Sequence, residues 1–464
     1  MGFFRRAVGA LTAVSLFTQN AFVAEAVELD LTQPSSIKAA AKTIADDMIA
    51  YYATNASGTI LSGIPGLLTY PPYYWWEAGA MFGQMIEYWY YTNDTTYNDL
   101  VTAGLLFQVG PQANYMPPNQ SKDEGNDDQL FWGFAVMSAA ELNFPNPPAD
   151  QPQWLALAQA IFNQMTQRWD ITLCSGGLPW QIYTFNNGYD YKNTASNGGF
   201  FQLAARLAKY TGNQTYADWA NKVYDWLAAS PLLTDQYQVY DGSNSLQNCT
   251  DADQMQWSYN YGILIGGAAY MYNYTNGSTI WQTRLTGLLN NSDVFFPSQY
   301  GGNVMVEVAC ELNQKCDTDQ WSFKAYLSRW MAVAAQIAPY TASSIMPKLA
   351  ASAKAAAAQC NGGASGTACG SRWFQSTSDG NTGVGQEMSA LSVISANLIM
   401  EVASPKTAVT GGTSKGNPAA GTGNGETKNP LEGNPVTTGD RAGAGILTTL
   451  VLGGILGGAW FMVT

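Results

Sequence analysis

The apolar positions of this chain recur with a helical period along most of its length. Between Pro34 and Ala403, strand-like alternation is scarce. The pattern predicts twelve helices, starting near Ser35, Trp75, Thr95, Asn126, Pro152, Asn193, Thr215, Gln256, Ser278, Gln320, Ser343 and Gly383. They are of two kinds. Some, such as the run after Asn126, are apolar on most sides and so belong in an interior. Others are amphipathic: after Thr215, Tyr216, Trp219, Val223, Trp226 and Leu227 share a face, with Asp218, Lys222 and Asp225 opposite.

A repeat marks where one kind gives way to the other. YTNDTTYNDL begins at Tyr91, YTGNQTYADW at Tyr210 and YTNGSTIWQT at Tyr274. In each, Asn or Gly followed by Thr or Ser supplies a turn and an N-cap. The registers differ by 119 and 64 residues, near multiples of about 60, so the unit is a two-helix hairpin. Six hairpins fit, and an all-α (α/α)6 toroid over residues 27–403 is the expected fold. An open solenoid is the alternative, and it requires polar caps on its terminal repeats.

The ends read differently. Arg5 and Arg6 precede an apolar run to Phe17, and Ala24 and Ala26 form a cleavage signature, so residues 1–26 are expected to be a secretory signal peptide. Residues 404–441 are rich in Gly, Ser, Thr, Asn and Pro and are expected to be a flexible stalk. The apolar segment 442–464 ends the chain and reads as a GPI-attachment signal, removed on maturation. The expected location is therefore outside the cell, GPI-anchored to the outer leaflet of the plasma membrane or in the cell wall.

Six cysteines suit an oxidising compartment and allow fifteen pairings. Short loops favour Cys310–Cys316 and Cys360–Cys369, which leaves Cys174 for Cys249. Eight N-x-S/T sequons, at Asn55, Asn93, Asn119, Asn213, Asn248, Asn273, Asn276 and Asn290, fit the same route.

A net charge of −13 argues against a nucleic-acid partner. The chain has no histidine, which removes Ser-His-Asp and Cys-His catalysis and His-ligated metal sites. No cofactor or metal is expected. Against this background one stretch stands out. SKDEGNDDQLFWG puts Asp123, Glu124, Asp127 and Asp128 within six residues of a chain that is only 12% charged. Asp127 and Asp128 fall in the first turn of an interior helix. Helix capping is one use for them. The other is glycosidic-bond hydrolysis, which needs one carboxylic acid to protonate the leaving oxygen and one carboxylate to attack. Repulsion between neighbours raises one pKa and keeps that group protonated.

Several segments together resemble glycoside hydrolase family 76, the fungal and bacterial endo-α-1,6-mannanases. They are YYWWEAGAMFGQMIEYW at Tyr73, GNDDQLFWGFAVMSAAELNFP at Gly125, GGLPWQIYTFNNGYDYKNTASNGGFFQLAARLAKYTGN at Gly176, WSYNYG at Trp257, RWMA at Arg329 and CGSRW at Cys369. With the apparent signal peptide and tail, the chain is similar to the fungal cell-wall branch. The resemblance implies an (α/α)6 fold and retaining chemistry, with Asp127 as nucleophile and Asp128 as acid/base. It implies an α-1,6-mannan or GPI-glycan donor, and transfer of GPI-linked proteins onto a cell-wall polysaccharide acceptor. Expected substrate-binding residues are Trp76, Trp132 and Trp180 for stacking, with Asn126, Gln129, Tyr191, Asn193, Asn197, Asp241, Tyr259 and Asn260 as polar partners. A catalytically silent mannan-binding lectin is the competing reading.

Overall fold

The computed structural model describes residues 27–422 together with 448, 451 and 452. The signal-peptide reading of residues 1–26, the segment 423–441 and nearly all of the 442–464 tail lie outside the described residues. Twelve α-helices are present among the described residues: α1 (Pro34–Ile49), α2 (Trp75–Thr92), α3 (Asn98–Phe107), α4 (Asn126–Glu141), α5 (Trp154–Arg168), α6 (Thr194–Thr211), α7 (Gln214–Ala229), α8 (Ser258–Tyr274), α9 (Thr279–Asn291), α10 (Phe323–Ile337), α11 (Ala342–Gln359) and α12 (Val384–Ser395).

The even-numbered helices pack side by side in order, and α12 returns to α2, which closes a ring. The odd-numbered helices form an outer layer against it. This is an (α/α)6 toroid. The two helix kinds of the sequence map onto the layers: every residue of α4 except Asp128 is buried, as is all of α12, whereas amphipathic α7 buries one face. Because the ring is closed, no terminal repeat needs a polar cap.

The repeated turns behave as their residues require. Asn93 and Gly212 end α2 and α6 in the left-handed region, at φ 62° and 71°. Asn213 and Ser278 then cap α7 and α9 through bonds to Thr215 N and Trp281 N. The first copy departs from expectation. Asp94 Oδ1 accepts from Thr96 N and Oγ1, and that local turn delays α3 to Asn98.

Two charged pairs cross the ring at the end where the even-numbered helices finish. Arg206 of α6 reaches Glu141 of α4 at 2.7 Å, and Arg329 of α10 holds Glu87 of α2 with two bonds of 2.6 and 2.9 Å. Trp330 lies under Arg206, 4.8 Å from its guanidinium. These groups fill the toroid's axis and leave the other end for a site.

The expected stalk needs correction. Residues 404–422 are ordered along the outer wall. Lys406 N donates to Glu141 O, Ala408 N to Tyr210 O, and Asn143 Nδ2 to Gly411 O. Further on, Asn417 N donates to Gln159 Oε1 and Asn163 Nδ2 to Pro418 O. A strap low in apolar side chains is thus held through its backbone by amides of the helices. Ser414 Oγ accepts from Leu155 N and caps α5 from a distance, since Gln153 supplies no side-chain cap there. Ser414→Ala is expected to cost about 1 kcal/mol of stability, as a lost cap does. An unchanged denaturation midpoint would count against the docked strap.

Three disulfides join Cys174–Cys249, Cys310–Cys316 and Cys360–Cys369, the pairing favoured by loop length. Seven of the eight sequon asparagines are exposed; Asn273 is half-buried and donates to Ile337 O.

Candidate active site

All six inner helices point their N-termini to one end, where the partial positive charge of each helix favours anions. A cleft of about 290 Å³ opens there. Its wall holds Trp76, Asp127, Asp128, Trp180, Tyr191, Asn193, Asp241 and Tyr259 from the expected set. It also holds Phe131, Trp257, Asp319, Gln320 and Phe323, which sequence reasoning missed. Phe131 lies one helical turn beyond Asp127, so its position was readable from spacing. Asp319 and Gln320 sit where a 3-10 turn leads into α10; a helix start near Gln320 was readable, but not that these two residues face the cleft.

Short backbone pairings aim these groups. A two-stranded ribbon, β1 (Tyr191–Asn193) against β2 (Gly242–Asn244), carries Tyr191 and Asn193 and places Asp241 just ahead of β2. Tyr191 donates its hydroxyl to Asp241 Oδ2 at 2.8 Å. Asn126 N donates to Trp180 O, and Trp180 N to Tyr191 O, which fixes the indole beside the aspartates. Glycine is required at 125 because a Cβ there would stand 2.4 Å from Asp127 Oδ1 and 3.2 Å from the Trp180 ring. Stacking of Tyr259 on Phe323 (4.0 Å) and close packing of Trp76 on Phe131 (4.6 Å) add the apolar surfaces on which a sugar face rests.

The two aspartates are solvated unequally by the protein. Asp127 Oδ2 accepts from Asn193 Nδ2 at 2.7 Å and Oδ1 from Asp128 N at 3.0 Å. Asp128 Oδ2 accepts from Gly125 N at 2.7 Å, closing the first turn of α4 in capping-box fashion. The capping residue is thus also one of the two aspartates on the cleft wall. Burial pushes Asp127 up to about 7, against the pull of Asn193 and nearby amides. Burial, and then the charge of Asp127, pushes Asp128 well above the carboxylate range. More donors face Asp127, so the pair loses its first proton there and keeps the second on Asp128. The other two acids of the stretch avoid this competition. Asp123 is exposed, and Glu124, fully buried, is held neutral by desolvation.

Five expected contacts lie elsewhere. Asn126 and Gln129 point away from the cleft and bind Arg168 Nη1 at 2.9 and 2.6 Å. Trp132 is fully buried, stacked against Trp75 and Tyr115. Asn197 holds the loop before Trp180 through Leu178 N and O. Asn260 is buried in α8, off the cleft wall. Helix phase explains these misses. Asn126, Gln129 and Trp132 step by three along one face of α4, whereas Asp127 and Phe131 step by four along another. Neighbours 259 and 260 likewise diverge by about 100°.

A helical toroid whose open end sets a hydrogen-bonded carboxylate pair among aromatic rings is the framework of a glycoside hydrolase. The sequence bears this out: it matches glycosyl hydrolase family 76 over residues 36–409, and the chain belongs to that family. Among its relatives, mannan endo-1,6-alpha-mannosidase DCW1 of Saccharomyces cerevisiae is 48% identical over 429 residues, 92% of this chain and 93% of that one. The crystal structure of Dfg5 from Chaetomium thermophilum in complex with glucosamine is 44% identical, with a TM-score of 0.80 over 85% of this chain and 97% of that one. An inactive variant of the alpha-1,6-mannanase of Salegentibacter sp. HEL1_6, in complex with alpha-1,6-mannotetrose, shares the fold at 18% identity, with a TM-score of 0.62 over 79% of this chain and 99% of that one.

Activity is expected to follow a bell-shaped pH profile. With the roles the family resemblance implies, Asp127 ionised and Asp128 protonated, the acidic limb is expected at about 7 and the alkaline limb above it. Asn193→Ala removes a donor to the Asp127 carboxylate and should move the acidic limb upward. A limb that stays in place in that variant would separate it from Asp127.

Proposed function

We propose that this protein is a retaining endo-α-1,6-mannosidase and transglycosidase of the cell surface. The unequal hydrogen bonding of Asp127 and Asp128 carries the reading. Ionised Asp127 attacks the anomeric carbon while Asp128 gives its proton to the departing glycosidic oxygen, leaving a mannosyl ester on Asp127. Asp128, now a carboxylate, takes a proton from the incoming hydroxyl as that oxygen displaces Asp127. Water as the incoming group gives hydrolysis, and a sugar hydroxyl gives transfer. The inactive Salegentibacter variant also has two consecutive aspartates replaced, which is in keeping with a working pair and leaves the division of roles to the hydrogen bonds above.

The donor is α-1,6-mannan or the mannose core of a GPI glycan. The cleft wall contains four aspartates and no Lys or Arg, which favours a sugar with a protonated amine. The glucosamine bound by Chaetomium Dfg5 is such a sugar. The acceptor is a cell-wall polysaccharide. Secretion through residues 1–26 and a GPI anchor replacing the 442–464 tail would hold the enzyme at the outer leaflet or wall. Three disulfides and the exposed sequons suit that route.

The test is mass spectrometry of the mature protein incubated with reducing-end-labelled α-1,6-mannotetraose and an unlabelled acceptor. Longer products are expected beside shorter ones. Shorter products alone would make it a hydrolase only, and no turnover of mannan or GPI-core glycan would leave the lectin reading. Release from membranes by a phosphatidylinositol-specific phospholipase tests the anchor, and failure of release would remove it from the proposal.

A further inference from the structure

Beside the catalytic cleft lies a second cavity of about 300 Å³, as large as the first. Cys310, Glu311, Gln314, Cys316, Trp321, Ser371, Arg372, Asp379, Gly380 and Asn381 line it. The two cavities share a partition. Asp319 and Gln320 face the catalytic cleft, and Trp321, the next residue of the same 3-10 turn (Gln320–Ser322), faces the second cavity.

The loops that build this cavity have little regular structure, yet they are firmly held. Cys310–Cys316 staples one wall. Glu311 Oε1 meets Lys324 Nζ at 2.6 Å, and that ammonium also donates to Ser371 O and lies 3.8 Å over the Trp373 ring. Asp379 accepts from Ser371 N and Oγ, Arg372 N and Asn381 N, and pairs with Arg372 Nε at 3.4 Å. Every charge on the floor is therefore matched. The groups left at the mouth are the half-exposed indole of Trp321, the amides of Gln314 and Asn381, and the outer nitrogens of Arg372. A ring with donors and acceptors and no uncompensated charge suits an uncharged sugar chain. The catalytic cleft, with unmatched carboxylates, suits a different ligand.

We propose that the second cavity is a binding subsite for a neutral polysaccharide, seated so that one of its hydroxyls reaches across the Asp319–Trp321 partition to the mannosyl ester on Asp127. This rests on the transfer reading above. In the step it serves, the polysaccharide hydroxyl oxygen bonds to the anomeric carbon, the ester bond to Asp127 breaks, and the hydroxyl proton passes to Asp128. The subsite gives the acceptor a local concentration that water cannot match, and so sets the balance between transfer and hydrolysis.

The experiment measures binding of β-1,3-linked gluco-hexaose and of α-1,6-linked manno-hexaose to the mature protein, and to Trp321→Ala, Arg372→Ala and Asn381→Ala, by saturation-transfer NMR. Asn381 lies at the mouth and serves if Trp321→Ala fails to fold. At least one hexaose should bind, and Trp321→Ala should weaken it about tenfold, the weight of one stacked ring. The ratio of transfer to hydrolysis should fall by a similar factor while donor cleavage in water is unchanged. Binding of neither hexaose, or equal binding to all four proteins, overturns the subsite. Trp321-dependent binding without any transfer product keeps the subsite and removes the transfer reading.

Discussion

Asp127→Ala is expected to fold, to bind α-1,6-mannooligosaccharide and to turn it over at least ~10⁴-fold more slowly, the scale on which loss of a nucleophile is measured. Added azide should restore turnover by entering the vacated position and forming the glycosyl azide of inverted configuration. Asp128→Ala should behave differently. With a leaving group that departs without a proton, such as a dinitrophenolate, its first step should run near the unmodified rate, because only general-acid help has been removed. The asymmetry follows from the donors that face each carboxyl. Asn193 Nδ2 and Asp128 N stabilise charge on Asp127, while Asp128 has Gly125 N and a charged neighbour. If the glycosyl azide of inverted configuration forms with the Asp128 variant and not with the Asp127 variant, the roles are reversed. The same pair should cost stability. With its native pKa raised to about 7, Asp127 binds more protons folded than unfolded between pH ~4 and 7, so its contribution is present below that window and lost as pH rises through it. Asp127→Asn should therefore melt higher than the unmodified protein at pH 8 and no higher near pH 4.

The largest structural effect is expected at the opposite end of α4. Glu141→Gln should destabilise the fold by about 3–5 kcal/mol, because it leaves the Arg206 guanidinium buried without its counter-charge. Ser138 Oγ and Phe134 O remain as neutral acceptors, and Tyr270 loses a charged one. The double variant Glu141→Leu with Arg206→Met should recover most of the loss, since desolvation of both charges disappears with them. The catalytic constants of the folded fraction should hold, because Glu141 and Asp127 are separated by 14 residues of helix, about 21 Å. Urea denaturation of the single variant and the double variant measures this. A single-variant loss under about 1 kcal/mol would show that the pair is not the fastening its burial indicates.

Much of this protein was legible in its sequence because a helix reports its own period. Layer assignment followed from which helices were apolar all round, and the starts of α2 and α4 came directly from Trp75 and Asn126. The disulfides followed from loop length. Contacts made by loops were not legible. Asp319, Gln320 and Trp257 stand at the entries to helical turns, and periodicity marks where a helix starts but not where the residues leading into it aim. The strap misled for a related reason. Composition measures what side chains bury, and residues 404–422 are held by their own peptide groups against Asn143, Gln159 and Asn163. Asn126 and Gln129 lie close to Asp127 in sequence, yet nearness along a helix rotates a side chain away from its neighbour.

The closed ring also sets the order in which the molecule is made. The joint between α2 and α12 pairs residues more than 300 positions apart, as in Ser392 with Gln84 and Val384 with the Tyr73 hydroxyl. Until the twelfth helix has left the ribosome the ring cannot close, and the first eleven are at most an arc in which α1, α2, α10 and α11 lack the helix they pack on. Chain closure over such a separation is slow, and the arc is exposed to aggregation while it waits. Folding of this chain should therefore be governed by its last helix, and a nascent chain stopped before residue 384 should stay bound to chaperones.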